Sequence, residues 1–160
     1  MNAMLWVRTF LSELHDWEWL GILVARIAVG LLFFLSGRSK LFVPEHRERM
    51  RQTLIEAHVP FPELNAVFVS MVEFGSGLLL IIGAVTPVAC VMLGGVMIVA
   101  IATTAIRNIK ASSLPGRLSE FLYLPEVLLL VILLWLFFSG PGRFSIDHLI
   151  CLRPASNIDA

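Results

Sequence analysis

The sequence predicts an all-α integral membrane protein, built as a bundle of four transmembrane helices. Hydrophobic residues make up 58% of the 160 residues and charged residues only 15%, and the mean hydropathy is +0.84. Soluble domains are usually nearer half apolar and a quarter charged. The apolar residues are also gathered into four long runs, each close to the ~20 residues that a helix needs to cross a bilayer.

The four runs give the predicted helices in chain order. They cover about residues 20–42, 63–85, 87–107 and 119–139. Pro87 suits the first turn of the third helix, and Pro141 follows the end of the fourth. Because only the short link from Gly83 to Pro87 separates the second run from the third, we expect these two helices to form an antiparallel hairpin.

Short flanking segments complete the predicted organisation. Residues 20–150 form one transmembrane domain, preceded by an N-terminal interfacial segment (1–19) and followed by a C-terminal tail (151–160). Apolar side chains recur at near-helical spacing in residues 5–17, and residues 44–58 combine dense charge with an apolar side. Both patterns predict short helices that lie on the membrane surface, or that dock on a partner.

The distribution of Lys and Arg predicts the orientation of the bundle. Residues 38–62 and 107–118 together hold eight of these cations, against three on the opposite side. Loops rich in Lys and Arg stay in the cytoplasm. We therefore expect both loops to be cytoplasmic and both termini to lie on the outer side. The net charge is zero, so the sequence shows no sign of nucleic-acid binding.

Glu73 is the most informative residue of the second helix. It is the only charge among the 22 residues from Leu64 to Val85. A charge at mid-bilayer costs about 2.5–3.5 kcal/mol on insertion scales, so such residues normally face protein, a partner charge or water. Ser70 and Ser76 share the helix face of Glu73, which indicates a helix interface or a cavity.

Charges of the first helix are candidate partners for Glu73. Arg26, Gly30, Gly37 and Lys40 fall on one helix face. Arg26 lies at a depth from which its long side chain should reach Glu73, so we expect an Arg26–Glu73 ion pair. Such a pair can form a functional site or only fix helix packing, and both interpretations stay open.

The fourth helix adds further polar positions. Glu126 lies near its cytoplasmic end, and Tyr123 lies one turn earlier. Together with Arg26, Lys40 and Glu73, these residues form the candidate intramembrane polar site. The sequence identifies no catalytic residue.

No cluster of residues typical of a metal or haem site occurs in the predicted spans. The four histidines all lie outside them, and no Ser/His/Asp array or phosphate loop is present. Haem in a helical bundle needs ligands that project inward. Cys90 and Cys151 are too far apart in sequence for a C-x-x-C pair, and two free thiols are expected ahead of a disulfide. We expect no metal site.

Three stretches of the sequence resemble DoxX-like membrane proteins. The first is RIAVGLLFFLSGRSKLF (26–42), the second is VPFP (59–62) followed by EFGSGLLL (73–80), and the third is the closing motif GPGRFSID (140–147). They occur in the family's order and cover about residues 20–150. The resemblance implies a four-helix bundle in the bacterial inner membrane.

The resemblance also implies which positions matter. Arg26, Lys40, Glu73 and Asp147 match recurrent family positions, and Glu126 matches an acidic position of the last helix. The candidate helix-packing glycines are Gly30, Gly37, Gly75 and Gly77, and the closing motif contributes Gly140, Gly142, Arg143 and Asp147. Ser36 departs from the pattern, because many relatives carry His before the glycine.

The family implies a connection with redox systems, because some relatives are subunits of a thiosulfate:quinone oxidoreductase. The first hypothesis is a membrane subunit of a quinone-linked or thiol-linked redox system, at most the membrane part of an oxidoreductase. A quinone between the helices would be its cofactor, and a redox protein or a second copy its partner. The alternatives are a non-catalytic scaffold for a redox or maturation partner, and a small transporter or proton pathway.

Overall fold

A computed structural model of the protein describes residues 17–106 and 113–151. In chain order its helices are α1 (Glu18–Phe42), α2 (Pro44–Glu56), α3 (Pro62–Ile82), α4 (Thr86–Ala100), α5 (Leu114–Leu122), α6 (Pro125–Ser139) and α7 (Ile146–Cys151). A π-helical turn, Ile101–Ala105, extends α4. The helix expected in residues 5–17 and nearly all of the tail 151–160 lie outside the described residues.

Three of the helical segments are long and apolar enough to cross a membrane. They are α1, α3 and the segment Thr86–Thr103, which joins α4 to part of the π-helical turn. Helices α5 and α6 meet the same test only as a pair, and they are bent by 62° relative to each other. The predicted all-α membrane fold is therefore confirmed for the described part of the chain.

Prolines fix where several helices begin. Pro44, Pro62 and Pro125 are the first residues of α2, α3 and α6. Proline suits this position because it has no N–H to leave unsatisfied, and it drives the preceding residue out of the helical conformation. Leu124 is accordingly extended, with ψ 127°. The fourth apolar run, expected as one span over 119–139, is thus two helices joined at a bend.

The bundle has two ends that differ in what covers them. We call the end that carries α2 the loop end. The end that carries residues 83–85 and α7 is the hairpin end. At the loop end, α2 folds back against α1 and α3 and buries Leu54. At the hairpin end, Gly83 closes α3 in a left-handed conformation with φ 67°, and the chain turns into α4.

The core lies between the membrane-spanning helices. Helix α1 runs along α3, and α4 runs along α6. Phe33, Leu80, Leu93, Leu133 and Leu136 are almost fully buried there. Between helices in lipid the driving force is close packing more than escape from water. The stability of the bundle therefore depends on how closely its helices approach.

Candidate functional site: a polar cavity at the loop end

Glu73 is held by two residues of α1. Lys40 Nζ lies 2.8 Å from Oε1 and 2.7 Å from Oε2 of Glu73, and Ser36 Oγ donates a hydrogen bond to Oε2 at 3.1 Å. The side chain of Glu73 is only 4% exposed, against 23% for that of Lys40. A buried carboxylate needs such compensation. The charge that looked isolated in the sequence is therefore neutralised across the α1–α3 interface.

Glycines bring α1 and α3 close enough for this contact. A Cβ atom at Gly37 would lie 2.4 Å from the backbone nitrogen of Phe74, and one at Gly77 would lie 2.5 Å from that of Phe34. At Gly30 the nearest atom would be 2.9 Å away. Small residues at these positions let the two backbones touch, as in other membrane helix pairs. Open space surrounds Gly75, which takes no part in this contact.

The expected Arg26–Glu73 ion pair is wrong. Arg26 donates instead to the backbone carbonyls of Pro141 and Phe144, at the hairpin end. Helical side chains lean towards the helix N-terminus. The side chain of Arg26 therefore extends along α1 towards the hairpin end, away from Glu73. Lys40, near the C-terminal end of α1, extends in the same direction along the helix and so reaches Glu73. The predicted pair was based on the depth of Arg26 in the membrane and did not include the direction in which helical side chains lean.

Arg26 belongs to a second structure, the hairpin clasp, which we define as Arg26, Gly83 and residues 140–148. Arg26 is only 2% exposed. A Cβ atom at Gly83 would lie 2.6 Å from Arg26 Nη1, so only glycine leaves room for the guanidinium there. Gly140 and Gly142 both have positive φ and shape the turn that presents the two carbonyls, whereas the side chain of Arg143 is exposed.

Asp147 completes the clasp from the other side. Its carboxylate accepts hydrogen bonds from the backbone N–H groups of Val85 at 2.7 Å and Thr86 at 2.8 Å, at the start of α4. Its own N–H donates to the carbonyl of Gly83 at 3.0 Å. Partial burial alone would raise the pKa of the Asp147 carboxyl. The two backbone hydrogen bonds and the nearby charge of Arg26 outweigh it and hold that pKa below its usual value.

A cavity of about 490 Å³ adjoins the Lys40–Glu73 pair. Residues of α1, α2, α3, α4, the π-helical turn and α6 line it. Most of the lining is apolar, including Leu54, Val72 and Val96. Polar groups reach it from several elements: Lys40, Thr53, Asn65, Glu73, Thr103 and Glu126. The cavity therefore combines apolar walls with a small set of polar groups, as small-molecule sites do.

The candidate polar site thus separates into three parts. Lys40, Glu73 and Glu126 line one cavity. Arg26 lies in the hairpin clasp, and Tyr123 does not reach the cavity, because it is 82% exposed beside the bend between α5 and α6. Within residues 17–106 and 113–151, no three His, Cys, Asp or Glu side chains are grouped so that they could hold a metal ion. Cys90 is buried as a free thiol in the core.

Sequence reasoning missed Ser36 as a ligand of Glu73, and it left open whether Glu73 faces a helix interface or a cavity. Ser36 lies four residues before Lys40, on the same helix face, and that spacing was available as a signal. No sequence signal showed that α2 would form one wall of the cavity, because this depends on how the first loop folds back against α3.

Comparisons with known proteins agree with this architecture. The DoxX family model matches residues 21–105, just over half of the chain. An uncharacterized membrane protein of Mycobacterium tuberculosis (strain H37Rv) is 31% identical over 141 residues, which cover 82% of each protein. No solved structure matches the chain. The matched family region contains the α1–α3 glycine contact, the Lys40–Glu73 pair and α4, and the chain is a member of the DoxX family.

Proposed function

We propose that this protein is the membrane subunit of a quinone-linked redox system in the bacterial inner membrane, and that the loop-end cavity holds the quinone ring. The observation that carries the proposal is the cavity, with its apolar walls and its charged groups. Its volume falls within the range of about 300–1,000 Å³ that is usual for small-molecule sites. A quinone needs this combination, because its ring is apolar and its two carbonyl oxygens accept hydrogen bonds.

The cavity reaches the lipid-facing surface of the bundle. Phe68, Met92 and Val99 line it and are also 58%, 47% and 53% exposed. In a membrane-embedded bundle, exposed apolar side chains face lipid. A ligand dissolved in the bilayer can therefore enter from the side, between α3 and α4, without crossing the polar headgroup layer.

Lys40 supplies the hydrogen bond that would orient the ring. An ammonium group has three N–H donors, and Lys40 makes hydrogen bonds to the two oxygens of Glu73. The remaining donor is free to bind a quinone carbonyl at the cavity wall. Arg26 and Tyr123, the members of the candidate polar site that do not line the cavity, have no part in this role.

The proposal includes an orientation and a partner. The loop end lies in the cytoplasm, as the excess of Lys and Arg in the two loops favours. A partner redox protein, or an assembly of several copies with such a protein, exchanges electrons with the quinone. The chain then supplies the quinone site and the membrane anchor of that complex.

A cavity-filling variant tests the proposal without disturbing the charged network. Gly95 lines the cavity, and a Cβ atom there would meet no atom within 4 Å. Gly21 is equally unobstructed but lies on α1, away from the cavity. Both Gly95→Leu and Gly21→Leu should fold, because both replace an open helical glycine by a better helix former.

Quinone retention is the measurement. We expect wild type and Gly21→Leu, purified in mild detergent, to retain bacterial quinones that mass analysis of extracted lipids detects, and Gly95→Leu to retain severalfold less. Equal retention by all three proteins contradicts the assignment of the cavity. Absence of quinone from the wild type, together with stable co-purification of a redox or maturation protein, would favour the scaffold function instead.

A further inference from the structure

We propose that the loop-end cavity binds the reduced quinol more tightly than the oxidised quinone, and that the Glu126 carboxylate makes the distinction. This inference rests on the proposed function and adds to it which redox form the site favours. It follows from counting the hydrogen-bond donors and acceptors that line the cavity.

Glu73 is already occupied within the protein. Its two oxygens accept hydrogen bonds from Lys40, and one of them accepts a further bond from Ser36. At 4% side-chain exposure it also presents little surface to the cavity. Its role is to hold Lys40 in place, which leaves the lysine as the donor that faces a ligand.

Glu126 is the second carboxylate of the cavity, and it differs from Glu73 in its contacts with the described residues. It lies in the first turn of α6, half-buried at the cavity wall. Among residues 17–106 and 113–151, no side chain donates a hydrogen bond to its carboxylate and no cation lies within ion-pair distance of it. From the part of the chain that the structure describes, the Glu126 carboxylate thus receives no hydrogen bond and can accept one from a ligand.

The two redox forms of a quinone differ in what they offer that acceptor. An ionised carboxylate only accepts hydrogen bonds. The oxidised ring has two carbonyl oxygens, which also only accept, so it repels Glu126. The quinol has a hydroxyl group at each of these positions. One hydroxyl can donate to Glu126, while the other accepts from Lys40 Nζ.

The size of the preference follows from the type of bond. A hydrogen bond to an ionised group is stronger than one between neutral groups. We expect the quinol to bind about tenfold more tightly or better. Preferential binding of the reduced form makes reduction easier, so a tenfold preference raises the midpoint potential of the bound two-electron couple by about 30 mV.

The test compares Glu126→Gln with Glu63→Gln. Glutamine keeps the shape of Glu126 but adds N–H donors, which can bind a quinone carbonyl. Glu63 is a matched control, because it is 82% exposed at the start of α3 and does not line the cavity. The probes are a short-chain ubiquinone and a short-chain menaquinone, each titrated as quinone and, without oxygen, as chemically reduced quinol into protein reconstituted in lipid nanodiscs.

The expected result is tighter binding of quinol in wild type and Glu63→Gln, and loss or reversal of this preference in Glu126→Gln. Infrared difference spectra of the wild type provide a readout that needs no variant: quinol, but not quinone, should shift a carboxylate band. Equal affinity for the two forms in the wild type, or an unchanged preference in Glu126→Gln, overturns the inference and leaves the quinone site standing. Failure of the wild type to bind either form of either probe overturns the proposed function with it.

Discussion

The two ends of the bundle each hold a cation of α1, half-buried at the loop end and buried at the hairpin end, and they satisfy it in different ways. At the loop end, Lys40 pairs with the carboxylate of Glu73 beside a cavity. At the hairpin end, Arg26 donates to two backbone carbonyls in a closely packed clasp. A buried charge alone therefore does not mark a ligand site. The open space beside the ion pair, with the further carboxylate of Glu126 in its lining, distinguishes the candidate site from the structural one.

The largest expected effect comes from removing the cation of the hairpin clasp. Arg26→Met keeps much of the side-chain volume but leaves the carbonyls of Pro141 and Phe144 without their donor. A buried carbonyl left unsatisfied costs about 1–3 kcal/mol, and these two are partly buried, so we expect a loss of about 2–4 kcal/mol in the free energy of unfolding. Thermal unfolding in detergent measures it.

The same variant also checks that the clasp is separate from the cavity. Below its lowered melting temperature, Arg26→Met should retain quinone at the wild-type level. A melting temperature equal to that of the wild type would show that Arg26 does not hold the clasp. Loss of quinone from the folded variant would show that the two ends are coupled.

A smaller effect is expected from closing the gap between α1 and α3. In Gly37→Ala the new methyl group would overlap the backbone of Phe74, so the helices must separate. Overpacking of this kind costs about 1–3 kcal/mol. Gly75→Ala is the control, since nothing lies within 4 Å of a Cβ atom there, and it should be neutral or gain up to about 1 kcal/mol from helix propensity. Equal melting temperatures of the two variants would contradict the close contact.

Removing the Asp147 carboxylate from the clasp should lower the free energy of unfolding by an amount that depends on pH. Asp147 has a lowered pKa in the folded protein, so its ionised form stabilises the fold. This contribution is complete above the unfolded-state pKa and is lost as the pH falls through the lower folded-state pKa. Asp147→Ala should therefore cost about 0.5–2 kcal/mol at neutral pH, the size of a helix-cap effect.

The pH profile provides the control for Asp147. The difference in unfolding free energy between wild type and Asp147→Ala should be constant down to about pH 4 and then shrink as the pH is lowered further. Chemical unfolding followed by tryptophan fluorescence across this range measures it. A difference that grows on acidification would show that the cap acts through its neutral form.

The smallest expected effect concerns the third ligand of Glu73. Ser36→Ala removes one hydrogen bond of 3.1 Å but leaves both bonds from Lys40. We expect a loss of about 0.5–1.5 kcal/mol in stability. Ser39→Ala is the control, because its hydroxyl bonds to the carbonyl of Ser36 and not to Glu73. If both variants melt alike, the Ser36 hydroxyl does not support the carboxylate.

The sequence was sufficient where local chemistry decides the outcome. Apolar runs of spanning length predicted the helices, because a bilayer leaves few alternatives to a helix. The sequence was insufficient where the direction of a side chain decides which residues form a contact. Depth alone paired Glu73 with Arg26, yet the lean of helical side chains favours Lys40.

The remaining features depend on tertiary structure. Pro125 was visible in the sequence as a helix start, and greater attention to it would have predicted the break in the fourth run. A cavity beside Glu73 was one of two expectations, but its lining could not be predicted, because it comes from six separate elements. Its floor on α2 exists only once the first loop has folded back onto α3.

The bend before Pro125 has a consequence for the surrounding lipid. Helix α6 has 15 residues, and at 1.5 Å per residue it is only about 22 Å long. The hydrocarbon layer is about 30 Å thick. Either thinning of the bilayer or contact of the inclined α5 with the acyl chains, through the exposed face of Leu114, Leu118 and Leu122, makes up the difference on this side of the protein. Hydrophobic mismatch of this kind favours thin membrane regions, so membrane thickness should influence where the protein accumulates.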